Sequence, residues 1–305
     1  MINNLAELLA AAQITTPATV AVAGANDAET LKAVVRAREL KIAIPLLAGD
    51  REWIMRMLEK LGSEPASYEI IDEKDPARAA VAAAGAVRQG RAGILMKGAV
   101  VTSVFLHTAL GPAGELKSGL LSDVELYEDG KRQGCQFVLV SDGGINIAPG
   151  IRQKIEIIRN AVSVAHCLGI KSPRVALLSG SEKVHPDFQS TIDAVALVKM
   201  CQDGAVDNCV VDGPFALDNA IDAGSARSKG IESPVAGNAD ILIVPNLEAG
   251  NIFCKCLQYY GNRMLIHVAV GAKVPILIDS RTARADEKLH SIALAKIMLG
   301  TGKKY

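Results

Sequence analysis

Short runs of β-branched and aliphatic residues alternate with alanine-rich stretches of helical period along the whole chain, and several of the runs are apolar at every position. A strand with one face in water alternates apolar and polar residues, whereas a strand covered by helices on both faces is apolar throughout. The pattern therefore predicts strand, helix, strand units around a mostly parallel sheet, an α/β fold. Strands are expected at 19–23, 42–47, 68–71, 93–96, 137–140, 174–178, 209–211, 241–244 and 274–278. Helices between them include 76–89, 151–167, 191–200, 215–223, 251–260 and 286–299, and residues 1–13, broken by Glu7, read as an amphipathic first helix and not a signal peptide. Residues 108–132 interrupt the rhythm with Gly111, Pro112, Gly114, Gly119 and a charge cluster. An excursion or domain edge is expected there, with a short strand at 122–127.

Composition narrows the function. A chain of 305 residues is long for one ordinary domain of about 100 to 200 residues, so two α/β lobes are expected. Lys plus Arg equals Asp plus Glu at 33 each, so no global field favours nucleic acid or a membrane surface, and an anionic ligand must be held by local groups. Aromatic residues make up 4%, too few for base-stacking platforms. Six scattered cysteines without a C-x-x-C pair suit a reduced, cytoplasmic protein, and no uncharged apolar run reaches the roughly 18 residues of a membrane span.

The common cofactor motifs are missing. The first strand-to-helix turn, Gly24-Ala25-Asn26-Asp27, lacks the glycines of a dinucleotide site, and Gly300-Thr301-Gly302-Lys303 echoes half a P-loop with no helix behind it. No H-E-x-x-H, no G-x-S-x-G and no zinc-spaced cluster occurs, and the five histidines are dispersed and read as surface or core residues.

Four segments instead place small and polar residues at the carboxyl end of an expected strand, where open parallel sheets bind ligands. In Met96-Lys97-Gly98-Ala99-Val100-Val101-Thr102-Ser103, Lys97 and the hydroxyls could hold a phosphate, although from this segment alone an ordinary turn and helix cap with a solvated lysine is the favoured reading. Asp142-Gly143-Gly144-Ile145-Asn146 offers backbone amides for an anion nest. The run Ser233 to Ile252 leaves a buried strand through Pro-Asn-Leu-Glu-Ala-Gly-Asn, and Ile276 to Glu287 delivers Ser280 and Arg281 beside an acidic helix start.

Together these segments resemble the phosphate acetyl/butyryltransferase family, the phosphotransacylases. Ser233 to Ile252 is the most specific match, while Asp212-Gly213-Pro214-Phe215 and the Met-Lys-Gly of 96–98 look more like the butyryl branch. The resemblance implies a two-lobe, mostly parallel three-layer sandwich of the isocitrate/isopropylmalate dehydrogenase-like kind. Residues 1–140 plus 276–305 would form the first lobe and 141–275 the second, with the active-site cleft between them. It implies that a short-chain acyl-CoA, butyryl or branched, and inorganic phosphate interconvert with acyl phosphate and coenzyme A, without metal or redox cofactor. Ser280 and Arg281 would stabilise the tetrahedral intermediate, and Lys97, Gly98, Thr102, Asn146, Glu248, Gly250 and Asn251 would bind the substrates. A carboxylate would take the thiol proton. Counting from the Ser-Arg pair lands on Glu287, where the acetyl branch has an aspartate; Asp286 lies on the helical stripe of Leu289, Ile292 and Ala293 and is the competing choice. The resemblance further implies a homo-oligomer and a short-chain acyl kinase as pathway partner. The alternatives are a phosphate acetyltransferase and a non-catalytic protein that binds coenzyme A or acyl phosphate and regulates. Cys135 and Cys167 are possible thiols near the site, each more often a small core residue.

Overall fold

A computed structural model of the chain describes residues 1–130 and 136–301. Cys135 and the tail residues Gly302 and Lys303 lie outside the described residues. In chain order the elements are α1 (Leu5–Gln13), β1 (Ala18–Ala23), α2 (Ala28–Glu39), β2 (Ala43–Gly49), α3 (Arg51–Lys60), β3 (Glu69–Asp72), α4 (Pro76–Arg88), β4 (Ile94–Lys97), α5 (Thr102–Leu110) and β5 (Lys117–Asp129). They continue with β6 (Gln136–Ser141), α6 (Ile151–Cys167), β7 (Arg174–Leu178), α7 (Gln189–Gln202), β8 (Val210–Phe215), α8 (Leu217–Ile221), α9 (Ala223–Ser228), β9 (Ile241–Ile243), α10 (Leu247–Tyr259), β10 (Ile266–Ala272), β11 (Ile276–Leu277) and α11 (Ala285–Gly300). Two compact units result: a terminal unit of Leu5–Gly119 with Ile266–Tyr305, and a central unit of Met1–Asn4 with Leu120–Leu265.

In the terminal unit the strands run in the order β3-β2-β1-β4-β11-β10, parallel except that β10 pairs antiparallel with β11. Successive strand residues point to opposite faces, and Val20 to Ala23 of β1 and Ile94 to Met96 of β4 are all fully buried, so both faces are covered. The helices that cover them fall into two groups: α4 and α5 pack on each other, and α1, α2 and α11 pack on one another. Strands β1 and β2 hand over to their helices, and β3 to α4, at an acidic cap. Asp27 accepts from the Thr30 N–H at 2.9 Å, Asp50 from Trp53 at 3.1 Å, and Asp75, followed by Pro76, from Arg78 at 2.8 Å. Such caps contribute about 1 kcal/mol each.

In the central unit the order is β5-β6-β9-β7-β8, with β5 and β6 antiparallel and the remaining pairs parallel. The α/β character and the predominance of parallel pairs match the expectation from the pattern. The interruption at 108–132 contains a strand of 13 residues, longer than the 122–127 expected, and within it Ser122, Asp123 and Glu125 are buried despite their polarity. The expected helix 215–223 is instead the end of β8 followed by two short helices. Asp222 ends the first and, by accepting from the Ser225 N–H at 2.6 Å, starts the second. Strand β10 and helices α2, α3 and α5 are additions to the elements expected from the pattern. Among the described residues no helix is long and apolar enough to cross a membrane.

Glycines mark where backbone meets backbone. Gly24 adopts φ +67° at the end of β1, and a Cβ on Gly98 would lie 2.2 Å from the Gly24 carbonyl oxygen. Gly85, inside α4, faces open space, and a Cβ there would meet nothing within 4 Å. Gly98→Ala should therefore lower the thermal midpoint, by the equivalent of about 1–3 kcal/mol for overpacking. Gly85→Ala should raise it by the equivalent of about 0.5–1 kcal/mol, since alanine restricts the unfolded chain and fits the helix. Calorimetry on the two variants checks both signs.

Candidate active site

The candidate residues divide between the units. Lys97, Gly98, Thr102, Ser280, Arg281, Asp286 and Glu287 belong to the terminal unit, and Asn146, Glu248, Gly250 and Asn251 to the central one.

In the terminal unit, β1, β4 and β11 are parallel neighbours, so their carboxyl ends deliver Gly24 to Asp27, Lys97 and Asp279 to Arg281 to the same edge. The turns after β1 and β4 are stitched together: the Gly98 N–H donates to the Ala23 carbonyl at 2.8 Å and the Ala99 N–H to the Gly24 carbonyl at 2.7 Å. The glycine is thus needed for this close approach, and its amide is already used. Lys97 is only 2% exposed, yet its ammonium makes no hydrogen bond among the described residues. Burial, with the charges of Lys288 and Arg281, lowers its pKa to about 8, against the opposing pull of Asp279 and Asp27. Thr102 and Ser103 are exposed in the first turn of α5, which has no side-chain cap, so the hydroxyl groups do not serve as the cap.

Asp279 is fully buried. Its Oδ1 accepts from the Ser291 hydroxyl at 2.9 Å, which in turn accepts from the His267 N–H at 3.0 Å, while Oδ2 has no hydrogen-bond partner. Lys288 is 1% exposed and donates to the Ser280 carbonyl at 3.3 Å. The Ser280 hydroxyl lies 3.0 Å from that of Thr282, and Arg281 is exposed. Lys288 and Arg281 thus both act electrostatically on Lys97, and Lys288 reaches the Ser280 carbonyl.

The carboxylates differ in setting. Glu287 is 1% exposed and its Oε2 accepts from the Arg284 N–H at 2.7 Å, closing the first turn of α11. Glu29 of α2 accepts from the next amide, Ala285, at 2.9 Å. Asp286 is exposed. The stripe with Leu289 therefore does not turn Asp286 inward, because α11 is buried nearly all round from Glu287 onward and has no single apolar face to extend.

The central unit corrects one reading outright. The amides after β6 do not form an open nest, because the Asp142 side chain fills it. Asp142 Oδ1 accepts from the Gly144 and Ile145 N–H groups, each at 2.9 Å, and Oδ2 accepts from the Asn146 N–H at 3.2 Å and from Asn146 Nδ2 at 2.5 Å. Asn146 Nδ2 also donates to the Leu121 carbonyl at 2.8 Å, so both its protons hold the turn. Burial, and then the Asp123 charge, raise the Asp142 pKa from 3.8 to about 6, against the bonds from Gly144, Asn146 and Ile145.

Helix α10 begins four residues before the expected 251, because Asn246 caps it by accepting from the Ala249 N–H at 2.9 Å. Glu248, Gly250 and Asn251 consequently sit in its first turns. Glu248 and Asn251 are exposed, and Asn251 Nδ2 donates to the Gly143 carbonyl at 3.2 Å. A Cβ on Gly250 would come within 2.8 Å of Gly143 Cα, so this glycine lets the helix rest on the Asp142 turn. Nearby, a cavity of 620 Å³ is lined by Pro149, Lys154, Phe188, Asp193, Pro245 and Asn246. Its buried Lys154 is neutralised by Asp193 at 2.7 Å.

A family model described as "Phosphate acetyl/butaryl transferase" matches residues 53–296. The chain belongs to the phosphate acetyl/butyryltransferase family. It is an acyltransferase. It is 39% identical to a phosphate butyryltransferase of Clostridium beijerinckii over 99% of this chain and 100% of that one. It is also 38% identical to a phosphate acetyltransferase of Thermotoga maritima, over 91% of this chain and 94% of that one. Among solved structures, a branched-chain phosphotransacylase from Enterococcus faecalis superimposes with a TM-score of 0.80 at 30% identity, covering 92% of this chain and 99% of that one.

Lys288 and Asp279, which act electrostatically on Lys97, do not stand out in the sequence. A signal exists for the lysine: it precedes Ile292 by four residues and therefore lies on a buried helical row.

The Asp142 turn yields a prediction with a definite sign. A folded-state pKa above the ordinary value means that the neutral carboxyl favours the fold; this contribution is complete below about pH 4 and is lost as pH rises through about 6. Carbon-13 NMR of the Asp142 carboxyl should give a midpoint near 6, and Asp123→Asn should move it down. Asp142→Ala, which removes the acceptor of three amides, should cost about 1–3 kcal/mol in thermal unfolding.

Proposed function

We propose that this acyltransferase interconverts a short-chain acyl-CoA and inorganic phosphate with acyl phosphate and free coenzyme A, preferring butyryl or a branched short acyl group. The observation that carries the reading is that Arg281 and Lys288 act on the buried Lys97 at one edge of a parallel sheet, with Lys288 reaching the Ser280 carbonyl, since each substrate pair contains a phosphate or phosphoryl group. The similarity to a branched-chain phosphotransacylase favours the longer acyl group, and the near-equal identity to a phosphate acetyltransferase keeps acetyl as the second reading.

In the direction that forms acyl-CoA, a carboxylate takes the proton of the coenzyme A thiol. The thiolate forms a C–S bond at the acyl phosphate carbonyl, giving a tetrahedral oxyanion, and the C–O bond to phosphate then breaks with the electron pair leaving on phosphate. Arg281 and the Ser280 hydroxyl are assigned to the oxyanion. Glu287 is assigned as the base, with Asp286 as the competitor. Burial of Glu287 in the first turn of the helix that carries Lys288 supports the choice. Lys97 and Thr102 are assigned to phosphate, Gly98 to the turn that presents Lys97, and Asn146, Glu248, Gly250 and Asn251 to coenzyme A or to the backbone that receives it.

The finer fold reading is isocitrate/isopropylmalate dehydrogenase-like, supported by two α/β units and by the return of the C-terminal segment to the unit that holds Leu5–Gly119. The proposed setting is cytoplasmic, with a short-chain acyl kinase as pathway partner and self-association through the exposed Ile252, Tyr259 and Tyr260 of α10.

Release of free thiol from acetyl-, propionyl-, butyryl- and isobutyryl-CoA, with and without phosphate and without added metal, tests the activity. Phosphate-dependent release fastest with a four-carbon acyl group is expected; no release from any of the four would overturn the assignment. Glu287→Gln keeps an oxygen for the Arg284 N–H but loses the basic carboxylate. Its turnover should fall by about 10²–10⁴-fold with coenzyme A binding retained, and turnover near the parent's would move the role to Asp286.

A further inference from the structure

We propose that Lys97 and Lys288 together anchor the phosphate or phosphoryl group, and that binding of this anion is coupled to uptake of a proton by Lys97. The inference rests on the phosphate acyltransferase reading and adds to it a second, buried lysine and a linkage to pH.

Charge balance carries it. The groups acting on Lys97 are Lys288 from α11, Arg281 and Asp279 from the segment after β11, and Asp27 from the cap of α2. Of the two carboxylates, Asp27 is engaged by the Thr30 amide and hydroxyl. Glu29, which faces Lys288, is held by Lys32 and the Ala285 amide. Asp279 is fully buried and acts on Lys97, with one oxygen bound to Ser291 and the other without a hydrogen bond. An ammonium on a buried side chain, largely withdrawn from water and left without protein acceptors, is costly. Lys97 has none among the described residues, and Lys288 has the single Ser280 carbonyl at 3.3 Å. A dianion supplies acceptors to both ammonium groups.

The protonation consequence follows from geometry and burial together. Without anion, the Lys97 ammonium loses its proton near pH 8, in the working range of a cytoplasmic enzyme. A dianion at the same place favours the charged form and must raise that midpoint, so by linkage the anion binds more weakly as pH rises past 8. Lys154 of the central unit makes the contrast: its partner Asp193 is 2.7 Å away, and it has no need of an outside anion.

Carbon-13 NMR of ε-labelled lysine, assigned with Lys97→Met, provides the test. The full chain is titrated from pH 6 to 10 alone, with saturating phosphate, and with saturating sulfate, which carries no proton of its own in this range. The Lys97 resonance should titrate near pH 8 alone and at least one pH unit higher with either anion. Lys97→Met and Lys288→Met should each weaken anion binding at pH 7 by tenfold or more. Lys97→Arg, which keeps its charge at every pH, should bind without the decline above pH 8. A Lys97 midpoint unmoved by a saturating anion, or Lys97→Met binding as tightly as the parent with circular dichroism unchanged, would overturn the inference. Its failure and that of the transferase reading are separable. Acyl transfer with no shift at Lys97 removes only the lysine anchor, whereas a shift without thiol release in any acyl-CoA assay removes the transferase and leaves an anion site.

Discussion

Strands sealed by helices on both faces leave one place in such a molecule for polar chemistry, the carboxyl ends where the chain escapes the sheet. Everything of catalytic interest here obeys that constraint. Val20 to Ala23 and Ile94 to Met96 are apolar and buried to the last residue, and the next positions are Gly24 and Lys97. Side chains that would be expensive within the sheet are concentrated at its edge, where backbone amides and helix starts are available to receive them.

The two units answer the resulting electrostatic problem in opposite ways. In the central unit, the amides after β6 are filled by the chain's own Asp142, and Lys154 is paired with Asp193; the polar groups satisfy one another. In the terminal unit, Lys97 lies among Lys288, Arg281, Asp279 and Asp27, and its ammonium stands without a hydrogen-bond acceptor among the described residues. A self-satisfied turn is a structural device. On the proposed reading, a buried lysine without an acceptor is completed by an anion that arrives. Glu287 combines both characters, since the carboxylate assigned to chemistry also secures the first turn of α11 through the Arg284 amide.

Legibility in the sequence follows the physics of each signal. Helix α6 matches the expected residues because its apolar positions recur at helical spacing between Pro149 and Gly169. Helices α2 and α3 escape the pattern although Asp27 and Asp50 stand at their caps, a local signal that alternation of apolar runs does not register. Strand β10 escapes for a different reason: a strand that returns antiparallel beside β11 falls outside a strand, helix, strand rhythm. At the site, Ser280, Arg281 and Lys97 stand next to strand ends and are legible. Lys288 is legible only through its place four residues before Ile292; between Glu287 and Leu289 it otherwise reads as solvated, and the burial of α11 on nearly all sides makes it internal. The anion nest fails because spacing shows that amides converge but not that the first residue of the turn turns back to fill them.

The same reasoning bears on which acyl group is transferred. Identity of 39% to a butyryltransferase and 38% to an acetyltransferase does not separate them. On the proposed reading it should not, because the cations are assigned to what all these substrates share, the phosphate or phosphoryl group. A methylene is worth only about 1–3 kcal/mol in an apolar pocket, which one or two wall residues supply. Selectivity must therefore reside in apolar positions away from Lys97, Arg281 and Lys288. A change at such positions alters the pocket wall without touching the charged edge.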